Sequence, residues 1–261
     1  MRILITGASG VIGRILTKAW STKHSLILAD ILEPRGIQDE PFIHAADKHT
    51  FVRVDMAEGS DVESLIENYS PQAVIHLAAI LGRKTLWEQV LRSNLAGAIN
   101  VLEISAALRV DRVIYASTNN IYGGYEEEAL RAGTPLHLQS TPMLLSEDVP
   151  PRPDSRYAVA KLMVEQYATY LSLTHGFPTF GLRIGTVRDL DNPEQQLKES
   201  DLIPRFKKTW LYHRDLIQLV ELCLFSMRDH GIYNAISGRP GVPGVFINIG
   251  KAIEQLGYSP E

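Results

Sequence analysis

A glycine-rich turn directly behind the first apolar run is the feature that most constrains the fold of this chain. Residues 2–6 read RILIT, residues 7–13 read GASGVIG, and a helical pattern continues to about Trp20. A strand that feeds such a turn and a helix brings backbone N–H groups and the positive helix end close to a pyrophosphate. The spacing is GxxGxxG rather than GxGxxG, and a purely structural turn stays open as an alternative. The turn predicts dinucleotide contacts at Gly7, Ser9, Gly10, Val11, Ile12 and Gly13.

Short apolar, β-branched runs alternate with helical patterns through the first two-thirds of the chain. The runs read RILIT, SLILAD, FVRVD, AVIHLA and RVIYAS. This rhythm is typical of parallel strands joined by crossover helices, because strands covered on both faces read as continuous apolar runs. The pattern predicts an α/β fold: a Rossmann-type doubly wound parallel sheet with a small C-terminal substrate-side lobe, in a single domain over residues 1–261.

The second run ends at Asp30, about twenty residues beyond the glycines, where dinucleotide-binding folds place an acidic residue. A carboxylate there accepts hydrogen bonds from the adenosine ribose hydroxyls and repels a 2′-phosphate. The chain is therefore expected to use NAD as its cofactor. Arg35 lies close by in sequence and leaves NADP open. A plain turn role for Asp30 at the strand end is the alternative interpretation.

Later strand ends predict further cofactor contacts. Asp55, after FVRV, is placed to meet the adenine, and Ala78 and Ala79, after AVIHL, offer small side chains beneath the cofactor. His76 is interpreted as a packed structural residue, because no carboxylate in its motif orients it. The predicted cofactor contacts are completed by Met56, Leu77, Asn94 and Ile184.

Among the ten tyrosines, Tyr157 alone has a lysine four positions later, Lys161. Positions i and i+4 share a helix face, and Asp154 or Ser155 can cap that helix. A phenol with a pKa of about 10 is a poor base unless nearby positive charge stabilises the phenolate. The pair predicts proton transfer by Tyr157. Decoration of an exposed helix is the alternative for the pair taken alone.

The fifth apolar run ends in residues that can complete a catalytic set. In a doubly wound sheet the carboxyl ends of the strands face the ligand crevice. A hydroxyl there can hydrogen-bond the reacting oxygen while the tyrosine takes its proton. Thr118 is the first candidate for this hydroxyl and Ser117 the second. The predicted catalytic residues are therefore Thr118, Tyr157 and Lys161.

Composition narrows the class of partner. The chain has 26 Lys and Arg against 30 Asp and Glu, a formal net charge of -4, which predicts no nucleic-acid or anionic-membrane partner. One cysteine, Cys223, excludes an intramolecular disulfide and a Cys-based zinc site, so no metal is expected. No apolar run approaches the roughly 20 residues that span a bilayer, and no signal-peptide pattern is present. We expect a cytoplasmic protein with a small-molecule partner.

Two segments break the rhythm and are expected on the substrate side. Residues 123–152 carry several prolines around the acidic run EEE and are predicted to form a long loop. Residues 189–209 mix charges with prolines and are expected to close over the pocket from the other side. Residues 1–185 would then mainly bind NAD, and residues 186–261 together with 123–152 would mainly bind substrate.

Together, these motifs resemble the extended short-chain dehydrogenase/reductase family. TGASGVIG, Asp30, HLAA, Asn94, ASTNNIYG, the Tyr157–Lys161 pair and LRIG occur in the expected order over most of the chain. The resemblance implies that Tyr157 is the acid/base and that Lys161 binds the ribose and depresses the tyrosine pKa. Thr118 would orient the substrate. It also implies a homodimer, formed through the helices after Leu86 and around Tyr157.

Within that family, the chain resembles the uronate dehydrogenases, which oxidise the anomeric carbon of hexuronic acids to lactones. The runs DVPPRPDSRYAVAK, LRIGTV, TWL before HRDLIQLVE, and LGYSP carry the resemblance. It implies that Arg205, five residues before Trp210, binds the substrate carboxylate through its guanidinium fork. A solvated surface charge is the alternative for Arg205. The implied substrate contacts are Leu81, Ser117, Thr118, Asn119, Asn120, Thr186 and Arg205.

Departures from this pattern leave the sugar open. Asn120 stands in place of a histidine, Leu81 and Thr186 each in place of a serine, and Val11 in place of a glutamine, and the segment after Gly123 is an insertion. The predicted function is NAD-dependent oxidation of a sugar hydroxyl, at C1 of a hexuronic acid or a related aldose. An NAD-retaining sugar-nucleotide epimerase or dehydratase is the alternative enzyme, and a non-catalytic cofactor-binding protein is the third interpretation.

Overall fold

All five apolar runs predicted as strands lie in one parallel sheet. The computed structural model describes residues 1–32, 49–82, 84–196, 203–238 and 241–261. Within these ranges the strands follow the bounds β1 Arg2–Thr6, β2 Ser25–Asp30, β3 Thr50–Arg53, β4 Ala73–His76, β5 Arg112–Thr118, β6 Thr179–Ile184 and β7 His230–Ala235. The last two strands were not predicted as such from the sequence.

The order of the strands places a crevice at one edge of the sheet. Across the described residues the order is β3-β2-β1-β4-β5-β6-β7, and every pairing is parallel. The order reverses between β1 and β4, where Thr6 pairs with His76. Ligands of such sheets bind outside the carboxyl ends of the strands at this point. The predicted doubly wound parallel sheet is confirmed.

Helices connect the strands. Their bounds are α1 Val11–Trp20, α2 Gly59–Tyr69, α3 Trp87–Gln89, α4 Gly97–Ala107, α5 Gly123–Arg131, α6 Arg156–His175, α7 Pro193–Gln196, α8 Ile203–Lys208, α9 His213–Leu224 and α10 Gly250–Leu256. A π-helical segment, Val90–Ala96, joins α3 to α4, and 3₁₀ turns cover Asn119–Tyr122 and Leu136–Leu138.

Two apolar cores lie on opposite faces of the sheet. One packs α1, α9 and α10 through residues that include Leu16, Trp20 and Leu219. The other packs α2, α4 and α6 through residues that include Leu65, Val101 and Val164. Burial on both faces explains why the strands read as continuous apolar runs. Strand β7 and helices α9 and α10 therefore extend the sheet and one of its helical layers.

The prediction of a loop over residues 123–152 is wrong at its beginning. Residues 123–131 form helix α5, which carries the acidic run. Glu127 and Arg131 form an ion pair four residues apart on this helix, and the helix ends before Gly133, whose φ is 73°. The prolines that suggested a loop all follow the helix. Gly124 is held to the far end of the segment by its N–H, which donates to the Arg152 carbonyl at 2.7 Å.

The part of the chain that the structure describes contains no helix with the length and apolar character to cross a membrane. Nor do the described His, Cys, Asp and Glu side chains gather in groups of three or more around a point that could hold a metal ion.

Candidate active site

A cavity of about 440 Å³ lies at the carboxyl ends of the strands. Its wall combines the glycine turn after β1, the ends of β2, β4, β5 and β6, and parts of α6 and α8. The predicted site residues that line it are Gly7, Gly10, Val11, Ile12, Gly13, Asp30, Asp55, Met56, Leu77, Ala78, Ala79, Leu81, Ser117, Thr118, Asn119, Asn120, Tyr157, Lys161, Ile184, Thr186 and Arg205.

Two predicted cofactor contacts, Ser9 and Asn94, do not line the cavity but hold residues that do. The Ser9 N–H donates to the Asp30 carboxylate at 2.9 Å. The amide of Asn94 is buried in the π-helical segment and pairs with the backbone of Ile80 through two hydrogen bonds, of 2.7 and 2.9 Å. Both residues therefore position the wall, and direct contact with a cofactor stays a prediction for them.

The glycine turn fits the pyrophosphate of a dinucleotide. Gly7 has φ 69°, and a Cβ there would lie 2.6 Å from the backbone N of Ala78. A Cβ on Gly13 would lie 2.6 Å from the carbonyl oxygens of Gly7 and Ala8. Helix α1 begins at Val11 with no side-chain cap at Gly10, so its first N–H groups have no intrahelical partner and lie at the cavity wall. An anion can satisfy these N–H groups.

Two carboxylates lie at the carboxyl ends of β2 and β3, at the same edge of the sheet as the glycine turn. Asp30 accepts hydrogen bonds from the backbone N–H groups of Ser9 and Leu32. Burial raises the pKa of Asp55, but the Ala57 N–H and the Arg92 guanidinium outweigh this effect and hold it below its ordinary value. Both groups therefore suit the adenosine end of a dinucleotide. The NADP prediction for Arg35 falls outside the described residues.

The predicted catalytic residues come together on α6 and the end of β5. Ser155 caps α6, with the Ala158 N–H donating to its Oγ at 3.2 Å, so Tyr157 lies in the first turn. The ammonium of Lys161 lies 5.8 Å from the centroid of the Tyr157 ring. The hydroxyl of Thr118 lies close enough to the Tyr157 phenol to lower its pKa. A phenol, a hydroxyl and an ammonium thus form one cluster in the cavity wall.

Burial changes the proton affinity of this cluster. It raises the pKa of Tyr157 to about 12, although the neighbouring Thr118 hydroxyl acts in the opposite direction. It also lowers the pKa of Lys161 to about 8. In the free protein at neutral pH, the phenol is therefore protonated and the lysine is mostly charged. A cationic ring bound beside the phenol would stabilise its deprotonated form.

His76 is placed as a structural residue would be. Its Nδ1 lies 2.8 Å from the Thr6 hydroxyl, and the ring is buried behind β4 and β1. Burial, with a smaller contribution from the charge of Lys161, lowers its pKa to about 3. His76 therefore stays neutral over the physiological range and does not line the cavity.

A buried charged network that sequence reasoning missed separates the two hydroxyl candidates. Ser117 Oγ donates to Glu165 at 2.6 Å, whereas Thr118 faces Tyr157. Glu165 in turn accepts two hydrogen bonds from Arg183, at 2.8 and 2.9 Å, and Arg183 donates to the Tyr122 phenol. Glu165 follows Lys161 by four residues on one face of α6. This spacing was the signal in the sequence that could have placed Glu165 near the candidate catalytic residues.

The part of the cavity wall formed by α8 contains a second ion pair that the sequence did not suggest. Arg205 lines the wall, and its guanidinium donates to Glu126 of α5 at 2.6 and 2.8 Å. The hydroxyl oxygens of Thr186 and Thr209 lie 2.9 Å apart, at hydrogen-bond distance. Other wall residues were missed although they lie within two positions of predicted ones in sequence: Ala29, Ile31, Val54, Ile80, Ser93, Ala116, Gly185, Val187, Arg188 and Phe206.

Comparison with known proteins shows the family to which the chain belongs. Residues 3–235 match the model of the NAD dependent epimerase/dehydratase family. L-arabinose 1-dehydrogenase (NAD(P)(+)) of Haloferax volcanii is 29% identical over 262 residues, which cover 99% of this chain and 96% of that protein. Uronate dehydrogenase of Pseudomonas syringae pv. tomato is 29% identical over 228 residues, 86% of this chain and 70% of that protein.

The fold also resembles solved structures. The crystal structure of uronate dehydrogenase from Agrobacterium tumefaciens superimposes with a TM-score of 0.77 at 25% identity. The match covers 100% of this chain and 84% of that one. The similarity therefore extends beyond the sheet to the segments that follow it.

Proposed function

The chain belongs to the NAD dependent epimerase/dehydratase family, and from this premise we propose that it oxidises the anomeric carbon of a free sugar, a hexuronic acid or a related aldose, to a lactone. The observation that carries the proposal is the Thr118, Tyr157 and Lys161 cluster, which lies in the same cavity as the glycine turn and Asp30. Two of the relatives that match most of the chain are, by name, an L-arabinose 1-dehydrogenase and a uronate dehydrogenase, which supports NAD-dependent sugar oxidation.

NAD, when bound, supplies the acceptor for the hydride that leaves C1 of the sugar. Residues of the chain transfer the proton. The Tyr157 oxygen takes the proton of the C1 hydroxyl as the C–H bond breaks, so the products are a lactone, NADH and a proton. Thr118 orients the reacting oxygen by a hydrogen bond, and the Lys161 ammonium stabilises the phenolate before the proton arrives.

Net formation of NADH tests this function. The purified protein, mixed with NAD and a panel of free aldoses and hexuronic acids, is expected to form one NADH for each sugar oxidised, read as absorbance of the reduced nicotinamide. An epimerase or dehydratase would instead retain NAD and regenerate it within each turnover. Conversion of a sugar nucleotide without net NADH would therefore contradict the dehydrogenase and favour that alternative.

The choice between NAD and NADP is expected to depend on Asp30. Replacing Asp30 with Asn removes the charge that repels a 2′-phosphate but keeps the shape of a side chain held by two backbone N–H groups. The ratio of kcat/KM for NADP to that for NAD is expected to rise about tenfold, equivalent to about 1.4 kcal/mol. Asp111→Asn, an exposed site of equal charge, is the control, and an unchanged ratio in Asp30→Asn would contradict the role.

We also propose that the protein forms a homodimer through the helices that begin after Leu86 and at Arg156. Large apolar side chains are exposed on both: Leu86, Trp87 and Leu91 on one, and Met163, Tyr170 and Leu173 on the other. Light scattering is expected to give about twice the chain mass of 29.1 kDa for the wild type and a lower mass for Met163→Glu. A monomeric wild type would reject the interface.

A further inference from the structure

The ion pair between Arg205 and Glu126 changes what the substrate end of the cavity can recognise. Arg205 Nε and Nη2 donate to the two carboxylate oxygens of Glu126 at 2.6 and 2.8 Å. Both side chains are 16% exposed. Parallel hydrogen bonds of this kind are the strong, geometrically specific form of an arginine–carboxylate contact. The arginine that the resemblance assigns to a substrate carboxylate is therefore already bound to a carboxylate of the protein.

A second carboxylate in this position is unfavourable for two reasons. If the sugar acid joins the pair, it brings a negative charge close to Glu126, and like charges at an interface oppose binding. If the acid displaces Glu126 instead, it leaves a mostly buried carboxylate without its partner, which is strongly destabilising. Arg205 Nη1 takes no part in the pair and can still donate to an uncharged oxygen.

The other polar groups around the cavity also suit uncharged hydroxyls. Asn119 is 4% exposed and lines the cavity, and its side-chain N–H₂ group has no hydrogen-bond partner among the described residues. Asn120, Thr118 and Thr186 add amide and hydroxyl groups to the same wall. A buried unpaired donor favours an oxygen that can accept its hydrogen bond. Sugar hydroxyls supply such oxygens without adding charge.

We propose that the Glu126–Arg205 pair makes this cavity select uncharged aldoses over hexuronic acids. The inference rests on the proposed dehydrogenase function and specifies its substrate class. Arg188 is the one further guanidinium that the described residues place at the cavity wall, where it lies 5.8 Å from the centroid of the Phe206 ring. It is exposed, so solvent and salt screen its charge. An aldose 6-phosphate is included in the test to measure whether Arg188 favours an anionic sugar.

The first arm of the test uses the wild-type protein with NAD. kcat/KM is measured for L-arabinose, D-xylose and D-galactose, for D-galacturonate and D-glucuronate, and for D-glucose 6-phosphate. The best neutral aldose is expected to exceed the best anionic sugar by about tenfold or more, because like-charge repulsion at a binding site is strong. This arm needs no variant and does not depend on any variant folding.

The second arm uses Glu126→Gln, with Glu127→Gln as the matched control. Both substitutions remove one negative charge from α5, and Glu127 forms an ion pair with Arg131 of the same helix. Glu126→Gln is expected to raise kcat/KM for the hexuronic acids about tenfold relative to neutral aldoses, mainly through a lower KM, since the guanidinium is freed. Glu127→Gln is expected to keep the wild-type ratio, and melting temperatures report whether each variant is folded.

The outcomes separate the two proposals. A wild type that prefers a hexuronic acid or a sugar phosphate overturns the selection of uncharged aldoses and leaves the dehydrogenase function standing. Equal ratios in the two folded variants overturn the role of the Glu126–Arg205 pair. A panel in which no sugar reduces NAD overturns the dehydrogenase function itself, and the inference with it.

Discussion

Tyr157→Phe is expected to lose nearly all NADH production while it still binds NAD. The substitution deletes the phenol oxygen that is proposed to accept the substrate proton and leaves the ring on α6 in place. Positioned proton transfer contributes about 10²–10⁴-fold to such reactions, and a loss of kcat in this range is expected. The glycine turn and Asp30 are unchanged, so NAD binding measured by calorimetry is expected to stay near that of the wild type.

Tyr170→Phe on the same helix is the matched control. Tyr170 is 50% exposed and lies away from the cavity wall, so removal of its hydroxyl is expected to leave turnover unchanged. Retained turnover in Tyr157→Phe would refute the acid/base role. Loss of turnover in both variants would indicate a general effect on the helix.

The pH dependence of sugar oxidation provides a second readout of the same role. Burial raises the pKa of the Tyr157 phenol to about 12, so its deprotonated, proton-accepting form is the minor one at neutral pH. While the pH is below the pKa, that fraction grows about tenfold for each unit by which the pH rises. kcat/KM for oxidation is therefore expected to rise from pH 6 to pH 8. Lactone reduction needs the protonated form, which stays almost fully populated over this range, so its kcat/KM is expected to change little between pH 6 and pH 8. A rate of oxidation that falls over this range would contradict the assignment.

Glu165→Ala is expected to lower the free energy of unfolding by about 3–5 kcal/mol, because it leaves a buried guanidinium without its partner. Glu165 is fully buried, Arg183 is 4% exposed, and two hydrogen bonds join them. Glu165 also accepts a hydrogen bond from the hydroxyl of Ser117, which precedes Thr118 on β5. Urea titration of the purified protein measures the change.

Two further variants test the cause of this loss. Glu63→Ala removes an exposed carboxylate from α2 and is expected to change the free energy of unfolding by less than about 0.5 kcal/mol. Replacing Glu165 and Arg183 together with Met removes both charges and is expected to recover much of the loss. A change below about 1 kcal/mol in Glu165→Ala would show that the buried pair does not stabilise the fold.

Much of the fold could be predicted because its signals are local. Five of the described strands follow from continuous apolar runs, and the turn after β1 follows from Gly7 and Gly13, where the backbone approaches itself too closely for a Cβ. Helix α5 was missed because the prolines that follow it dominate the pattern of residues 123–152. Strand β7 was missed because its sequence, HGIYNA, mixes polar and apolar residues although most of its side chains are buried.

The candidate site could likewise be predicted only where its signals are local. Tyr157 and Lys161 share a face of α6 because four residues span about one helical turn, and Asp30 and Thr118 lie at strand ends that every parallel sheet brings to one edge. Ser9 and Asn94 were predicted as cofactor contacts, but only the folded chain shows that Ser9 holds Asp30 and that Asn94 holds Ile80.

The sequence by itself determined the parallel sheet, the glycine turn and the spacing of the proposed catalytic residues, since each follows from contacts within a few residues or from the position of strand ends. Only the tertiary structure decided which charges meet. Arg205 and Glu126 are 79 residues apart in the chain, and Arg183 and Glu165 are brought together across α6 and β6. No local pattern encodes such pairs, because the distance between their side chains depends on how separate elements pack.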